Sequence, residues 1–393
     1  MKTKLISSSL LLGLLSSTNL VFGADAPAPA APAASAATPA MAAPAASAPA
    51  GSARGPRGSA GARGPGGRGG APATAEEVAE MSKLMDWPAY AVGLPDGDYS
   101  TGPAYTPAPE QTPKDGVAKG KVEHFTMNAA DSKFYPNTGL RGATDTRQVT
   151  VYIPSQYVPG TPLPVIVSCD AYGARNNQLP NILDNMIADK RLPVMGAIMI
   201  ANGGGDGGGS ERGLEYDTVS GKYAEFVEAE VIPLVEKNYN VVVSKNPDDR
   251  MTLGGSSGGS AAFVMAWYHP ELYHRALIYS GTFVNQQAGP DAPHGAWNFH
   301  ETLIPNNPAK PIRVWLEVGQ NDNGATAAGA GFHNWLLANM HMATVLKAKG
   351  YHYQLVFAKG AGHTDGKDIA QTLPQGLEYV WRGYTPAKSA PAK

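Results

Sequence analysis

The sequence is short of cysteine, of net charge and of long apolar runs, and each shortage removes a class of protein. One cysteine, Cys169, occurs in 393 residues, so neither an intramolecular disulfide nor a multi-cysteine zinc site can form. Lysine and arginine number 31 against 33 aspartates and glutamates. That balance shows neither the basic footprint of a nucleic-acid binder nor an acidic solvating tail. The N-terminal run Leu10-Leu11-Leu12-Gly13-Leu14-Leu15 is too short to span a bilayer as a helix. Residues 24–75 contain no Leu, Ile, Val or aromatic side chain, so nothing there offsets the entropy cost of ordering a chain.

What is present at the N-terminus has the form of a secretory signal. Lys2 and Lys4 precede the apolar run, and Val21 and Gly23 stand at the small-residue positions, which predicts cleavage after Gly23. No cysteine lies near the cut, which argues against a lipid anchor. Export suits a chain with a single thiol, since mispairing in an oxidising compartment is avoided. The expected location is periplasmic or secreted, with no stable membrane span after cleavage. Residues 24–75, rich in Ala, Pro, Gly and Ser with Arg54, Arg57, Arg63 and Arg68 scattered among them, are expected to form a disordered tether. Residues 76–120 read as an extension packing on the domain, with a short helix at 76–85. Residues 386–393 read as a disordered tail.

From 121 onward strands and helices alternate. Residues 121–126 and 147–153 alternate apolar and polar, as half-exposed strands do. Residues 163–169 and 196–201 are continuous apolar runs, as expected of strands covered on both faces. A helix over 182–189 fits between them, and 223–239 has helical spacing with Pro233 a kink or break. Further strands are expected at 276–279, 312–318 and 351–357, with a helix over 332–349 that Gly350 caps and a last helix reaching Trp381. This order predicts a mostly parallel central sheet with helices on both faces and its first two strands antiparallel. The chemistry of such sheets collects beyond the carboxyl ends of the strands.

One of those ends stands out. Arg250-Met251-Thr252-Leu253 leads into Gly254-Gly255-Ser256-Ser257-Gly258-Gly259 and then into the helix-compatible run from Ala261 to Trp267. Gly254, Ser256 and Gly258 fit G-x-S-x-G, a strained strand-to-helix turn that presents a serine at a helix N-terminus. Gly255, Ser257 and Gly259 fit the same pattern one residue later. Ser256 is preferred because the strand then ends at Gly254 and two glycines follow where helix and sheet must approach. A serine hydroxyl needs a base and the base needs an orienting acid. Asp322, after Gly319-Gln320-Asn321, and His363, after Gly360-Ala361-Gly362, each follow a strand in the order serine, acid, histidine. Asp365 and Asp368 follow His363 too closely to come from a separate strand end.

These motifs, with Tyr152-Ile153-Pro154 before the first buried strand, resemble the putative-esterase group of α/β-hydrolases. That group contains enterochelin-esterase-like proteins, S-formylglutathione hydrolases and bacterial feruloyl and acetyl-xylan esterases. Leu183-Asp184-Asn185-Met186-Ile187 and Arg212-Gly213-Leu214-Glu215-Tyr216-Asp217 look like its enterochelin-esterase-like branch. The resemblance covers about residues 120–385 and implies an α/β-hydrolase fold, with a domain over 121–385, and a triad of Ser256, Asp322 and His363. It also implies one departure. The family usually has Asp-Gly or His-Gly after the third strand, where one oxyanion-hole amide arises, whereas Asp170-Ala171-Tyr172-Gly173 displaces the glycine. Ser257 N–H is the expected first donor, and Ala171 or Tyr172 N–H the expected second.

Gly203-Gly204-Gly205-Asp206-Gly207-Gly208-Gly209-Ser210 lacks the Lys-Ser/Thr of a phosphate-binding loop, so no nucleotide is expected. It reads as a mobile loop beside the pocket, with Arg212, Glu215 and Asp217 as contacts or anchors. Tyr172, Arg212, Glu215, Phe283 and Trp297 are the candidate substrate-binding residues. The expected activity is serine carboxylic-ester hydrolysis without metal or cofactor, on acetyl or feruloyl esters of a polysaccharide. A siderophore ester, acyl transfer, or a non-catalytic glycan-binding module are the alternatives.

Overall fold

A computed structural model describes residues 74–386 apart from 138, 176–177 and 326–329. The expected signal peptide (1–23), nearly all of the tether (24–75) and nearly all of the tail (386–393) lie outside the described residues. The chain divides into two units, Met1–Pro65 and Gly66–Lys393, and the second holds everything described below.

Among the described residues eleven strands are formed: β1 (Gly97–Thr101), β2 (Lys121–Asn128), β3 (Thr146–Ile153), β4 (Pro162–Leu163), β5 (Val165–Cys169), β6 (Gly196–Ile200), β7 (Val242–Val243), β8 (Arg250–Gly255), β9 (Arg275–Tyr279), β10 (Arg313–Asn321) and β11 (His352–Gly362). The α-helices are α1 (Ala75–Lys83), α2 (Gln178–Ala188), α3 (Glu211–Tyr216), α4 (Lys222–Phe226), α5 (Ile232–Tyr239), α6 (Ser257–Tyr268), α7 (Ile304–Asn306), α8 (Trp335–Ala348) and α9 (Gly366–Val380). Nine strands make one sheet in the order β1-β11-β10-β9-β8-β5-β6-β3-β2, and β4 pairs with β7 apart from it. β2 with β3 and β3 with β6 are antiparallel, and every other pair in the large sheet is parallel.

The continuous apolar runs are explained by two cores, one on each face. Along β5, Val165, Val167 and Cys169 enter one core with Phe263 and Val235, while Ile166 enters the other with Leu183 and Leu373. Period-two alternation thus disappears from the sequence because both faces are apolar. Helix α6 is buried along its whole length from Ser257 to Trp267, and is correspondingly apolar on all sides. β2 at the free edge is instead half exposed, with Lys121, Glu123 and His124 along it, charges that discourage edge-to-edge pairing.

Three features differ from the sequence expectation. The extension over 76–120 supplies β1, a parallel edge strand on β11, and Tyr90 ties it down by accepting from Trp315 Nε1 at 3.1 Å and donating to Gln354 Oε1 at 3.2 Å. Pro233 does not break its helix. A π-helical turn over Val227–Val231 absorbs it, so that the proline opens α5, where its missing N–H costs nothing. Finally, Gly360-Ala361-Gly362 is strand rather than loop, with Asn321 paired to Gly362 across a bulge after Gly319.

That bulge depends on Gly319. A Cβ there would meet Gly362 O at 2.5 Å and Ala361 O at 2.7 Å, contacts that the backbone can relieve only by separating β10 from β11. Gly319→Ala is expected to destabilise the fold by about 1–3 kcal/mol, read as a lowered urea midpoint. It should also slow ester hydrolysis, because Asp322 and His363 leave the two separated strands.

Candidate active site

Ser256 lies between β8 and α6 with φ 58° and ψ −130°, in the sparsely populated region that lifts a side chain clear of a sharp turn. The turn closes only because Gly254 has no side chain. A Cβ there would lie 2.1 Å from Gly258 O. Ser256 is half-buried and Ser257 fully buried, which separates the two serines that the sequence motif left overlapping.

His363 follows β11 directly and Asp322 follows β10. The imidazole Nδ1 lies 2.6 Å from Asp322 Oδ1, and Nε2 lies 2.8 Å from Ser256 Oγ. A carboxylate is acceptor-only, so Nδ1–H donates to it and Nε2 is left to accept the serine proton. The Asp322 side chain is wholly buried, while that of His363 is 22% exposed, so the acid is dry and the base can meet a ligand. The edge of Trp335 packs on the imidazole with ring centroids 5.9 Å apart, and Trp335 Nε1 donates to Thr282 Oγ1 at 3.1 Å. Thr282 Oγ1 in turn lies 3.5 Å from Ser256 Oγ. Neither Thr282 nor Trp335 follows from a sequence motif, although Thr282 comes three residues after the end of β9.

The amides expected to form an oxyanion hole divide. Ser257 N–H opens α6, where the first donors have no intrahelical partner. Ala171 N–H donates to Ile200 O at 2.7 Å and Tyr172 N–H to Cys169 O at 3.1 Å. Both expected second donors are therefore spent on backbone. The reason is local: Asp170 and Ala171 adopt φ of 58° and 48°, winding the chain into a tight turn that turns these hydrogens inward. Ala171 takes a left-handed conformation that a glycine would adopt more cheaply.

The candidate substrate residues scatter. Phe283 is fully buried against Phe263 and belongs to the core, not to a pocket wall. Glu215 is also interior: it is ion-paired with Arg147 and accepts from Gly203 N at 3.0 Å. Burial pushes its carboxyl up to about 7, opposed by the Arg147 charge. Arg212 clasps Asp170 through Nε and Nη2, and reaches Asp206 through Nη1. Its donors are thereby committed to the turn after β5. Tyr172 stacks on Tyr279 at 5.8 Å with its ring over Gly255, and its hydroxyl is buried without a hydrogen-bond partner. Trp297 is buried within a ring cluster containing Phe332, His300 and His341, and His294 stacks on Phe332 at 4.3 Å. The glycine loop expected to be mobile is pinned instead, with Arg141 Nη2 donating to Asp206 O at 2.7 Å and Ser210 capping α3.

Cys169 is buried and free, and burial pushes its thiol up, so it is not a reactive group. Among the described residues no group of three or more His, Cys, Asp and Glu is placed to hold a metal ion, and no helix is long and apolar enough to cross a membrane. Beneath the triad, Glu317 of β10 faces Asp368 of α9, both at 0% exposure. Burial raises both carboxyls, Asp368 from 3.8 to about 7.

The folded chain therefore keeps protons here that the unfolded chain releases above about pH 4. The stability contributed by Asp368 is fully present below that pH and is lost as pH rises through about 7, and Glu317, raised as well, adds a loss of the same sign. Glu317→Gln leaves one carboxyl beside an amide donor and should flatten the fall. Urea midpoints of both proteins at pH 5 and pH 8 check this, and an unchanged difference between the two pH values would refute it.

The comparisons agree with this architecture. A ferulic acid esterase of Anaeromyces mucronatus, solved without substrate, matches with a TM-score of 0.52 at 14% identity, covering 70% of this chain and 96% of that one. An enterochelin esterase of Shigella flexneri matches with a TM-score of 0.49 at 19% identity, covering 70% of this chain and 60% of that one. At 14% identity the likeness to the ferulic acid esterase is one of fold. No curated protein sequence matches the chain. The family model for putative esterases, however, matches residues 143–378, a span that takes in Ser256, Asp322 and His363. The chain belongs to the putative-esterase family and is a carboxylic ester hydrolase on an α/β-hydrolase fold.

Proposed function

We propose that the chain is an exported serine esterase that removes acyl groups, acetyl or feruloyl, from polysaccharide. The observation that carries the mechanism is the continuous chain Ser256 Oγ, His363, Asp322 at 2.8 and 2.6 Å. Ser256 Oγ attacks the ester carbonyl as its proton passes to His363 Nε2, and the buried Asp322 carboxylate stabilises the imidazolium. Ser257 N–H and the N-terminal dipole of α6 face the oxyanion. His363 then protonates the leaving alcohol, and water activated by the same nitrogen releases the acid from the acyl-enzyme.

Substrate and location rest on other observations. Trp335, against His363, gives one flank of the site an aromatic character that suits an aromatic acyl group. A ferulic acid esterase shares the fold. Lys2, Lys4 and the leucine run support export, and a long Ala/Pro/Gly tether suits an enzyme working on an extracellular polymer. A second reading, a glycan-binding module without catalysis, draws on one observation: the amides of Ala171 and Tyr172 are already bonded. That would leave the oxyanion with Ser257 alone of the expected donors, and one missing donor costs about 2.7–4 kcal/mol of transition-state stabilisation.

Hydrolysis of p-nitrophenyl acetate and methyl ferulate separates the readings. Ser256→Ala is expected to lose at least about 10⁴-fold in kcat, while Ser257→Ala, which keeps the backbone donor, retains activity. Equal rates for the wild type and Ser256→Ala would refute the mechanism. Failure of a fluorophosphonate to label Ser256, together with glycan binding, would favour the second reading.

A further inference from the structure

At the opposite end of the sheet from Ser256 is a cavity of about 510 Å³. It is lined by His274, Arg275, Lys310, Arg313, His352 and Arg382, and Asp248 is the one acid in its wall. Parallel strands fix its position. Arg275, Arg313 and His352 are the first residues of β9, β10 and β11, whereas Asp322 and His363 follow the last residues of β10 and β11. With 9 residues in β10 and about 3.3 Å per residue, the two ends are about 30 Å apart.

The arginines there are held by rings more than by acids. The Arg275 guanidinium lies 4.7 Å from the Trp381 ring centroid and 5.4 Å from that of Tyr384. Arg313 and Arg382 lie 5.1 and 5.0 Å from the centroid of Tyr379. Their acid contacts are long, 3.8 Å from Arg275 to Asp248 and 3.5 Å from Arg313 to Asp96. Each acid also serves a histidine: Asp248 with His274 and Asp96 with His352, both at 2.7 Å. No acid pairs with Arg382 among the described residues. Arg275 is 7% exposed, and its Nε is buried with no hydrogen-bond partner. Stacking fixes the plane of a guanidinium without consuming its N–H donors. Arg275 Nη1 donates to Asp248 O and Lys310 Nζ to Trp267 O. The four cations Arg275, Lys310, Arg313 and Arg382 thus face Asp248 and Asp96, each already shared with a histidine, while Asp249 and Glu271 act on Arg275 and Lys310 without an ion pair.

We infer that this cavity binds an anion: a small organic molecule, or the end of a polymer, bearing a carboxylate or phosphate that the arginine forks can clasp. Its volume falls in the usual range for small-ligand sites, about 300–1,000 Å³, and exceeds what a bare inorganic ion fills. Guanidinium forks match either oxyanion. A uronic acid and a phosphate monoester are the two sources of that chemistry.

Calorimetric titration of the full chain at low salt with D-galacturonate and with glucose 1-phosphate tests the site. Saturable binding of at least one is expected, weakened at least tenfold in both Arg382→Gln and Lys310→Gln. Hydrolysis of p-nitrophenyl acetate and the thermal midpoint should stay at wild-type values in both variants. Tighter binding of the uronate assigns a carboxylate ligand, and tighter binding of the sugar phosphate assigns a phosphoryl one. Absence of saturable heat with either compound, or undiminished binding in both variants, would overturn the inference.

Discussion

The parallel hydrogen-bond ladder does not stop where the strands stop, and the site depends on that. Ala171 N–H donates to Ile200 O, Ser256 N–H to Tyr279 O, and Ser280 N–H to Glu317 O, at 2.7–2.9 Å. Each bond reaches from just past the end of one strand to its neighbour, at the last residue of β6 and β9 and the middle of β10. These residues are also left-handed. Among the described residues, five of the seven non-glycine residues with positive φ, Asp170, Ala171, Ser256, Ser280 and Thr364, cluster beyond the carboxyl ends of the strands. The other two, Lys190 and Asn240, close helices. Each such conformation costs about 1–2 kcal/mol, so the strain is gathered where the ladder over-determines the backbone. Without the ladder, Ser256 would relax and its hydroxyl would leave the imidazole.

Buried charge performs the matching task for the loops. Asp170 accepts from Asn202 and is clasped by Arg212, which also reaches Asp206, while Glu215 binds Arg147 and the amide of Gly203. Those contacts tie the turns after β5 and β6 to α3. Such pairs add little net stability because desolvation offsets their attraction, yet breaking one partner is costly. Their effect is therefore to fix geometry. The glycine loop they hold looked mobile as sequence, since nothing in a run of glycines announces the arginine, Arg141, that binds its carbonyls from more than sixty residues away.

What the sequence made legible follows from how local each signal is. Apolar runs marked β5 and β6, and G-x-S-x-G with two further strand ends pointed to Ser256, Asp322 and His363, which the fold brings into one hydrogen-bonded chain. The preference for Ser256 over Ser257 rested on a strand ending at Gly254 and on the glycines after the turn; β8 runs one residue further, to Gly255, and it is Ser256 that reaches His363. The misses are tertiary. Gly97-Asp98-Tyr99-Ser100-Thr101 has no apolar run, and it becomes a strand because the edge of β11 is open to it. Phe283 and Trp297 look like pocket aromatics in sequence, and only tertiary packing draws both into the buried core. The amides of Ala171 and Tyr172 look free until Ile200 and Cys169 present their carbonyls.

The two ends of this sheet use opposite devices. At the carboxyl ends, side chains are removed or backbones strained so that a few polar atoms converge: Gly254 and Gly319 have no room for a Cβ, and the Glu317–Asp368 pair is shut away beneath them. At the amino ends, bulk is added. Trp381, Tyr379 and Tyr384 present ring faces that hold Arg275, Arg313 and Arg382 in place with little help from acids. A proton can be shared between carboxyls at the first end, but no such relief exists for arginine, which stays charged throughout the accessible pH range. A cluster of cations that cannot discharge must be neutralised from outside or repel itself. Arg275 shows the consequence: burial lowers its affinity for a proton and the Arg313 charge adds to that, a shift that Asp248 opposes without cancelling.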